Sequence, residues 1–123
     1  ADYRPHEKAA QKIKKNEESL TIDLDKNPDI LKLSGEKKTH QFLVGFAAET
    51  QNLIANAAAK VQKKHLDMIV ANDVTAPGAG FSTDTNIVKL LFPDGSIKEP
   101  GLMSKEDVGN LILDIVRDQT AEK

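Results

Sequence analysis

Few residues in this 123-residue chain have types and positions that suggest chemistry. Phe46 ends a continuous apolar run, and Asn72 and Asp73 directly follow a second one. If both runs are parallel strands, these residues lie at the edge where open α/β sheets bind ligands. An aromatic ring there can stack on a pyrimidine or a ribose, and the polar side chains can bind a substrate amide or water.

Each of these features also has an ordinary structural interpretation. Most aromatic residues at the end of a buried strand belong to the core, and Asn72 and Asp73 could simply shape a turn. The KIKK run at 12–15 is, by composition alone, a solvated charge run in a mobile segment. The residues by themselves leave both interpretations open.

Neither cysteine nor histidine chemistry is indicated. The chain has no Cys, which excludes a disulfide framework, a thiolate nucleophile and zinc-finger spacing. His6, His40 and His65 are far apart and form no i,i+4 pair, so we predict no metal site built on protein ligands. We expect all three histidines to lie on the surface.

Charge and hydropathy exclude two further classes. The formal net charge of −2 does not provide the basic face that nucleic-acid binding requires. No apolar run approaches the roughly 20 residues that span a bilayer. The N-terminal residues are polar and basic, unlike a signal peptide. We therefore expect a cytoplasmic protein that binds neither nucleic acid nor membranes.

The centre of the chain predicts a βαβ unit. The apolar run at 42–46 is typical of a strand covered on both faces, and 68–71 predicts a second buried strand. Between them, apolar residues recur at helical spacing over about 50–65. Strand, helix and strand with short connections require a parallel pair. The predicted class is α/β, with a Rossmann-like, mainly parallel open sheet and flanking helices.

The flanking segments complete this architecture. Residues 1–19 hold almost no large apolar side chains and predict a mobile segment, and Leu20–Leu24 alternates like a short half-buried strand. Asn27 and Pro28 are a plausible N-cap and first turn of a helix ending near Leu33, at Ser34-Gly35. A loop at 75–86 precedes a strand at 87–92. The late part of the chain predicts a Pro93-Asp94-Gly95 hairpin turn, a partner strand at Ile97, and a helix with a weak Ser104/Asp107 capping box.

Several stretches of the chain together resemble the phosphopantothenoylcysteine synthetase (phosphopantothenate–cysteine ligase) family. They are ADYRP at 1–5, KIKK at 12–15, KNPDIL at 26–31, VGFAAET at 44–50, DMIVANDV at 67–74 and GFSTDTN at 80–86. No single stretch is specific, but six in this order are. In most bacteria the family enzyme is the C-terminal portion of a multifunctional protein, and its FMN belongs to a separate decarboxylase portion absent here.

The resemblance implies a ligase of coenzyme A biosynthesis and pantothenate metabolism. The expected reaction joins 4′-phosphopantothenate and L-cysteine through an acyl-cytidylate intermediate, using CTP with Mg²⁺. A homodimer is also implied. Because both partners of the first step are anions, the protein's main tasks would be alignment and charge neutralisation.

The resemblance also implies site residues. Lys12 matches the family's catalytic lysine on a flexible loop, here at about 6–19, where a cation could neutralise phosphate charge and exclude water. The implied nucleotide-binding residues are Asp2, Lys12, Pro28, Asp29, Ile30, Leu31, Phe46, Lys60 and Lys64. Lys60 and Lys64 follow the start of the central helix by about 10 Å or more, at ~1.5 Å per residue. Only their long side chains, or a ligand along the helix flank, would close that gap.

The chain departs from the family pattern in one respect. It has no counterpart of the family's first half, with its glycine-rich nucleotide loop and its asparagine at the intermediate. We therefore expect residues 1–123 to be one partial synthetase domain, incomplete for catalysis alone. Two alternatives stay open: a non-catalytic dimerisation module pairing through the edges of the Ile87–Ile97 hairpin, and a generic mononucleotide-binding α/β protein.

Overall fold

The computed structural model describes residues 1–14, 18–77 and 83–121. These residues form two compact units, Ala1–Ile30 and Leu31–Lys123. Residues 15–17 of the lysine loop and residues 80–82 of the GFSTDTN stretch lie outside the described residues. Among the described ranges, no helix combines the length and the apolar composition needed to cross a bilayer.

The Ala1–Ile30 unit contains a short antiparallel ribbon. Strand β1 (Tyr3–Pro5) pairs with β2 (Leu24–Lys26), and Tyr3 lies opposite Lys26. The predicted half-buried strand at Leu20–Leu24 is wrong. The backbone pairs in β2 only from Leu24 onward, and the apolar side chains at 20, 22 and 24 are all exposed.

Polar contacts hold the base of the ribbon together. The backbone N–H of Asn27 donates to the carbonyl oxygen of Asp2 at 2.8 Å, and its side-chain amide donates to the carbonyl oxygen of Ala1 at 2.9 Å. Its Oδ1 accepts from Arg4 Nη1 at 3.0 Å. Asn27 is therefore not the predicted helix N-cap, because its side chain is engaged with the first strand.

The Leu31–Lys123 unit is built around a four-stranded sheet in the order β3-β4-β5-β6. The chain runs through α1 (Ile30–Lys37), β3 (Val44–Glu49), α2 (Leu53–Lys63), β4 (Met68–Asp73), β5 (Thr85–Leu91), β6 (Ile97–Ser104) and α3 (Lys105–Ala121). β3 and β4 are parallel, and the β4–β5 and β5–β6 pairs are antiparallel. The α/β class, the βαβ unit and the late hairpin are confirmed.

The described sheet is mixed rather than mainly parallel. A parallel pair needs a long crossover connection, and only α2 provides a helical crossover between described neighbouring strands. The other connections reverse the chain, the last through a turn in which Gly95 has φ 87°.

Strand β4 shows how the sheet is covered on both faces. Ile69 and Ala71 belong to a core cluster with Ala57 and Val61 of α2, whereas Met68 and Val70 belong to a second cluster with Val108 and Ile115 of α3. This alternation is the period of a strand with helices on both sides. β3 differs, because Gly45 and Ala47 are buried while Phe46 and Ala48 are exposed. The prediction that this strand is covered on both faces is confirmed at its start, where Leu43 packs against the first core cluster and Val44 against the second. It is wrong from Phe46 onward, since α3 packs on β5 and β6.

Helix α1 runs past the predicted stop at Ser34-Gly35. Gly35 is buried inside the helix, and a Cβ built on it would lie 1.8 Å from the carbonyl oxygen of Lys64, at the end of α2. The glycine therefore permits close helix contact instead of ending the helix. The predicted cap of α3 is confirmed, because Asp107 N–H donates to Ser104 Oγ at 3.0 Å.

Candidate functional site

The parallel strands β3 and β4 end side by side, with Glu49 opposite Asp73. We call the end of these two strands, together with the adjoining first turns of α2, the carboxyl edge. Asp73 Oδ1 accepts from the hydroxyl of Thr75 at 2.6 Å and from its backbone N–H at 3.1 Å. These hydrogen bonds, the one from the hydroxyl first, lower the pKa of Asp73. Asp73 thus shapes the turn after β4, as one of its two interpretations predicted.

At the carboxyl edge, both side-chain oxygens of Glu49 accept hydrogen bonds from α2. Its Oε1 accepts from Lys60 Nζ at 2.8 Å, and its Oε2 accepts from the Asn56 side-chain amide at 3.3 Å. The hydrogen bond from Lys60 is the main cause that lowers the pKa of Glu49, with the Asn56 hydrogen bond and the charge of Lys60 adding to it against desolvation. The carboxylate is therefore ionised at neutral pH.

The structure brings Lys60 to the carboxyl edge despite its late position in α2. The lysine stem runs back along the helix, so its ammonium meets Glu49 at the end of β3. Lys64 is placed differently, because it ends α2, donates its backbone N–H to the carbonyl oxygen of Lys60, and turns its own carbonyl toward Gly35. The two lysines therefore occupy distinct positions along the helix.

Phe46 is an exposed aromatic residue in the middle of a largely apolar strand. Its relative exposure is 63%, and strand alternation places it on the face opposite Ala47 and Glu49. Leu31, by contrast, packs against the core cluster of α2, and its Cδ2 would lie 3.0 Å from a Cβ at Gly45. Of these two predicted site residues in the sheet unit, only Phe46 presents its side chain to solvent.

The other predicted site residues belong to the Ala1–Ile30 unit. Asp2 flanks β1 and is exposed, and Lys12 is exposed in the loop between β1 and β2. Near it, Ile13 and Leu20 help line an apolar cavity of about 420 Å³. Pro28 and Asp29 precede α1, which begins at Ile30, so the proline is not in its first turn as predicted.

The three histidines all lie on the surface of the protein. His6, His40 and His65 are exposed, as predicted. His6 Nδ1 lies 2.8 Å from Asp25 Oδ2 in the ribbon. Within the described ranges, no group of three or more His, Asp or Glu side chains is arranged to hold a metal ion.

Glu49 and Asn56 are the residues that sequence reasoning missed. The VGFAAET stretch contains Glu49, but no role was predicted for it. One signal was available: an acidic residue closing an apolar strand, followed 11 residues later by a lysine on the next helix. Such a pair can meet only where the lysine side chain points back toward the start of its helix, which is the direction that helical side chains favour.

Comparison with known proteins places this chain in a family. A profile described as the DNA/pantothenate metabolism flavoprotein C-terminal domain matches residues 1–119. The coenzyme A biosynthesis bifunctional protein CoaBC of Bacillus subtilis is 51% identical over 113 residues, which is 92% of this chain and 28% of that protein. CoaBC of Escherichia coli K12 is 43% identical over an alignment of 127 positions, which covers 100% of this chain and 31% of that protein.

A solved structure supports the fold as well. The C-terminal domain of a coenzyme A biosynthesis bifunctional protein CoaBC superposes with a TM-score of 0.76 at 35% identity, covering 100% of this chain and 52% of that one. The chain thus spans less than a third of the two CoaBC proteins and about half of the solved domain. On the family profile, which covers nearly its whole length, the chain belongs to the DNA/pantothenate metabolism flavoprotein C-terminal domain family.

Proposed function

We propose that this chain forms part of the CTP site of a phosphopantothenate–cysteine ligase in coenzyme A biosynthesis. The family membership and the names of its CoaBC relatives support this assignment. Because the chain spans less than a third of those two relatives, the proposal concerns a share of the site and not the complete reaction. We do not expect the chain to catalyse the ligation alone.

The exposure of Phe46 is the observation that carries the proposal. A ring that is 63% exposed, between the buried residues Gly45 and Ala47, forgoes much of the stabilisation that burial would provide. The same ring offers a flat apolar surface on one face of β3, three residues before the carboxyl end of the strand, which is the end where open α/β sheets bind ligands. Stacking a base on an aromatic side chain stabilises binding by about 1–3 kcal/mol.

Lys60 provides a cation suited to the phosphates. Its ammonium lies at the carboxyl edge on Glu49, while Phe46 lies on the other face of β3. One nucleotide could contact both only by crossing the end or the free edge of β3, which is one of the two edge strands of the described sheet. The proposal therefore requires the base and the phosphates to lie on different sides of that strand.

The proposed reaction has two steps. The carboxylate of 4′-phosphopantothenate attacks the α-phosphorus of CTP and releases pyrophosphate, and the amine of L-cysteine then attacks the acyl cytidylate and releases CMP. Mg²⁺ would be bound chiefly by triphosphate oxygens, which are the ligands this ion prefers. FMN has no part in this portion of the reaction.

The remaining predicted residues have subsidiary roles in the proposal. Lys12 would neutralise the phosphate charge that develops in the first step, and Asp2 would contact the metal or a ribose hydroxyl. The segment Pro28–Leu31, which leads into the start of α1, would contact the nucleotide. Lys64 would provide a further cation from the end of α2.

Calorimetric titration with CTP and Mg²⁺ tests the proposal. ATP and UTP, which carry different bases, are titrated in the same way as controls. We expect saturable binding that prefers CTP, and about a tenfold loss of affinity in Phe46→Ala, as expected for a lost stacking contact. Lys12→Gln should also weaken binding. Leu113→Ala, which truncates an exposed side chain of α3, and Lys8→Gln, near Lys12 in the same loop, are the matched controls.

Three results would contradict the proposal. They are an absence of binding at millimolar CTP, equal affinity for all three nucleotides, and an unchanged affinity in Phe46→Ala. Preference for ATP would instead favour the generic mononucleotide-binding alternative.

The ribbon unit favours a second, structural role. Tyr3, Ile13, Leu20, Ile22 and Leu24 are each more than half exposed, which is unusual for so many large apolar side chains in one short segment. We propose that they pair two copies of the chain into a homodimer. Pairing through the late hairpin could use only one of its two strands, because β5 is paired on both sides while β6 has a free edge in the described sheet. Sedimentation equilibrium of native chain and Ile22→Asp would show a dimer that the variant weakens, whereas a native monomer would contradict it.

A further inference from the structure

The side chain of Glu49 is nearly enclosed at the carboxyl edge, and both of its oxygens are engaged. It is 12% exposed, whereas Lys60, its partner at 2.8 Å, is 41% exposed. An ionised carboxylate in such a place must be paired, since burial of an unpaired charge is strongly unfavourable. Here the pairing comes from two side chains of the same helix, Asn56 and Lys60, which lie i,i+4 on α2.

Asn56 holds the carboxylate in place. Its side-chain amide donates to the carbonyl oxygen of Gln51 at 3.2 Å and to Glu49 Oε2 at 3.3 Å, so it links the turn before α2 to the end of β3. Its backbone N–H also donates to the carbonyl oxygen of Asn52, which has a φ of 50°. The position of Glu49 is therefore set by the strand and by the turn together.

Lys60 keeps capacity for a second anion. An ammonium has three donors, and a lysine on a flexible four-carbon stem loses considerable rotamer entropy when a ligand orders it. The contact with Glu49 orders that stem before any ligand arrives, while the exposed part of the side chain remains open to solvent. The arrangement therefore presents a pre-oriented cation at the end of β3.

We propose that Glu49 is a positioning residue that holds the Lys60 ammonium in the orientation required by the nucleotide phosphates. The inference rests on the proposed CTP site and adds a residue to it. An opposite effect is physically possible, because a carboxylate also offsets the charge of its partner and repels phosphate. The sign of the change in CTP affinity on removing the Glu49 charge separates the two effects.

The experiment combines Glu49→Gln with Lys60→Met in a double-mutant cycle read by CTP–Mg²⁺ calorimetry. Glu49→Gln keeps the size of the side chain and can still accept from Asn56, but it loses the charge. We expect it to weaken CTP binding roughly 3- to 10-fold, the cost of ordering one long side chain at binding. In the Lys60→Met background, Glu49→Gln should have no further effect, because its action requires the ammonium. Lys63→Met, an exposed lysine on the same helix, is the control.

A measurement without nucleotide makes the test independent of CTP. The ¹⁵N–¹H spectrum of the lysine ammonium groups should contain a slowly exchanging signal for Lys60 that Lys60→Met removes. Glu49→Gln should broaden or remove the same signal, while the circular dichroism spectrum and thermal midpoint stay close to native. Persistence of that signal in Glu49→Gln would show that Glu49 does not order the lysine.

The outcomes separate the two proposals. A native chain that binds no CTP overturns the nucleotide site and this inference with it. If the native chain binds CTP but Glu49→Gln binds equally well or more tightly, or the two substitutions act additively, the CTP site stands and the role of Glu49 is rejected.

Discussion

In the Leu31–Lys123 unit, apolar side chains fill a core on each face of the sheet, whereas in the Ala1–Ile30 unit the large apolar side chains are exposed. The ribbon is held instead by backbone pairing and by the polar contacts of Asn27. Hydrogen bonds exposed to water contribute much less to stability than buried apolar area. Substitutions of apolar residues should therefore change the free energy of unfolding much more in the Leu31–Lys123 unit than in the Ala1–Ile30 unit.

This difference bears on the candidate site. Phe46 and Lys60 are attached to the sheet unit, while Asp2 and Lys12 are carried by the ribbon unit. The proposed roles of Asp2 and Lys12 therefore depend on the less stable unit, and those of Phe46 and Lys60 on the more stable one.

The largest expected loss of stability comes from truncating a core side chain that packs beside α2. Leu66 is 2% exposed and packs in the cluster with Ala57 and Val61. Leu66→Ala should lower the free energy of unfolding by about 3 kcal/mol, through lost burial and the cavity left behind. Urea denaturation followed by circular dichroism measures it. In protein dilute enough to be monomeric, Ile22→Ala, in the ribbon and 65% exposed, should change that free energy by less than about 0.5 kcal/mol. Similar losses in both variants would show that the two units do not differ in this way.

Two glycine-to-alanine substitutions should give the next largest changes in stability, with opposite signs. Gly35→Ala would push a methyl group against the backbone carbonyl of Lys64 and should destabilise the sheet unit by about 2 kcal/mol through overpacking. Gly109→Ala, on α3 with nothing within 4 Å of its added Cβ, should stabilise by about 0.5–1 kcal/mol through helix propensity. Thermal denaturation of both variants tests the pair. Equal shifts would mean that α1 can move away from α2 at little cost.

A smaller and local effect is expected in the ribbon. Asn27→Ala removes the side-chain contacts to Ala1 and Arg4, at about 1 kcal/mol for exposed hydrogen bonds. Exchange of the His6 amide, which donates to the carbonyl oxygen of Asp23, should become about fivefold faster by NMR. The denaturation midpoint of the sheet unit should not move. A global loss of stability would show that the ribbon supports the whole chain.

The smallest effect is the acid sensitivity of the Glu49–Lys60 pair. Because the folded-state pKa of Glu49 lies below its ordinary value of 4.5, its contribution is present above that value and is lost as the pH falls through the lower folded pKa. The partly exposed pair should stabilise by less than about 1 kcal/mol. Glu49→Gln should flatten the decline in unfolding free energy below pH 4.5. An acid limb identical to the native one would assign that decline to other carboxylates.

Several parts of the fold could be predicted because they record burial in a local period. The apolar positions of α2 and the run at Met68–Ala71 predicted the βαβ unit, and Ser104 with Asp107 predicted the start of α3. The same reasoning failed at Leu20–Leu24, where alternation occurs without a face that is buried in the described chain. Hydrophobic periodicity alone does not show whether another part of the protein covers the apolar face.

The candidate site could also be predicted only in part from the sequence. Phe46 could be chosen from its place at the end of an apolar run, and the resemblance supplied Lys12 and Lys60, but neither indicated that the ring would be exposed. The contact between Glu49 and Lys60 depends on how α2 packs on the sheet. No local pattern encodes that packing.

What the chain determined by itself is the order and type of its main elements, because periods of 2 and 3.6 residues follow directly from backbone geometry and the burial of apolar side chains. Tertiary structure alone decided which strands are neighbours, how closely α1 approaches α2 at Gly35, and where the Lys60 ammonium comes to rest. These features arise between residues distant in the chain, where packing and charge pairing act through space and leave no period in the sequence.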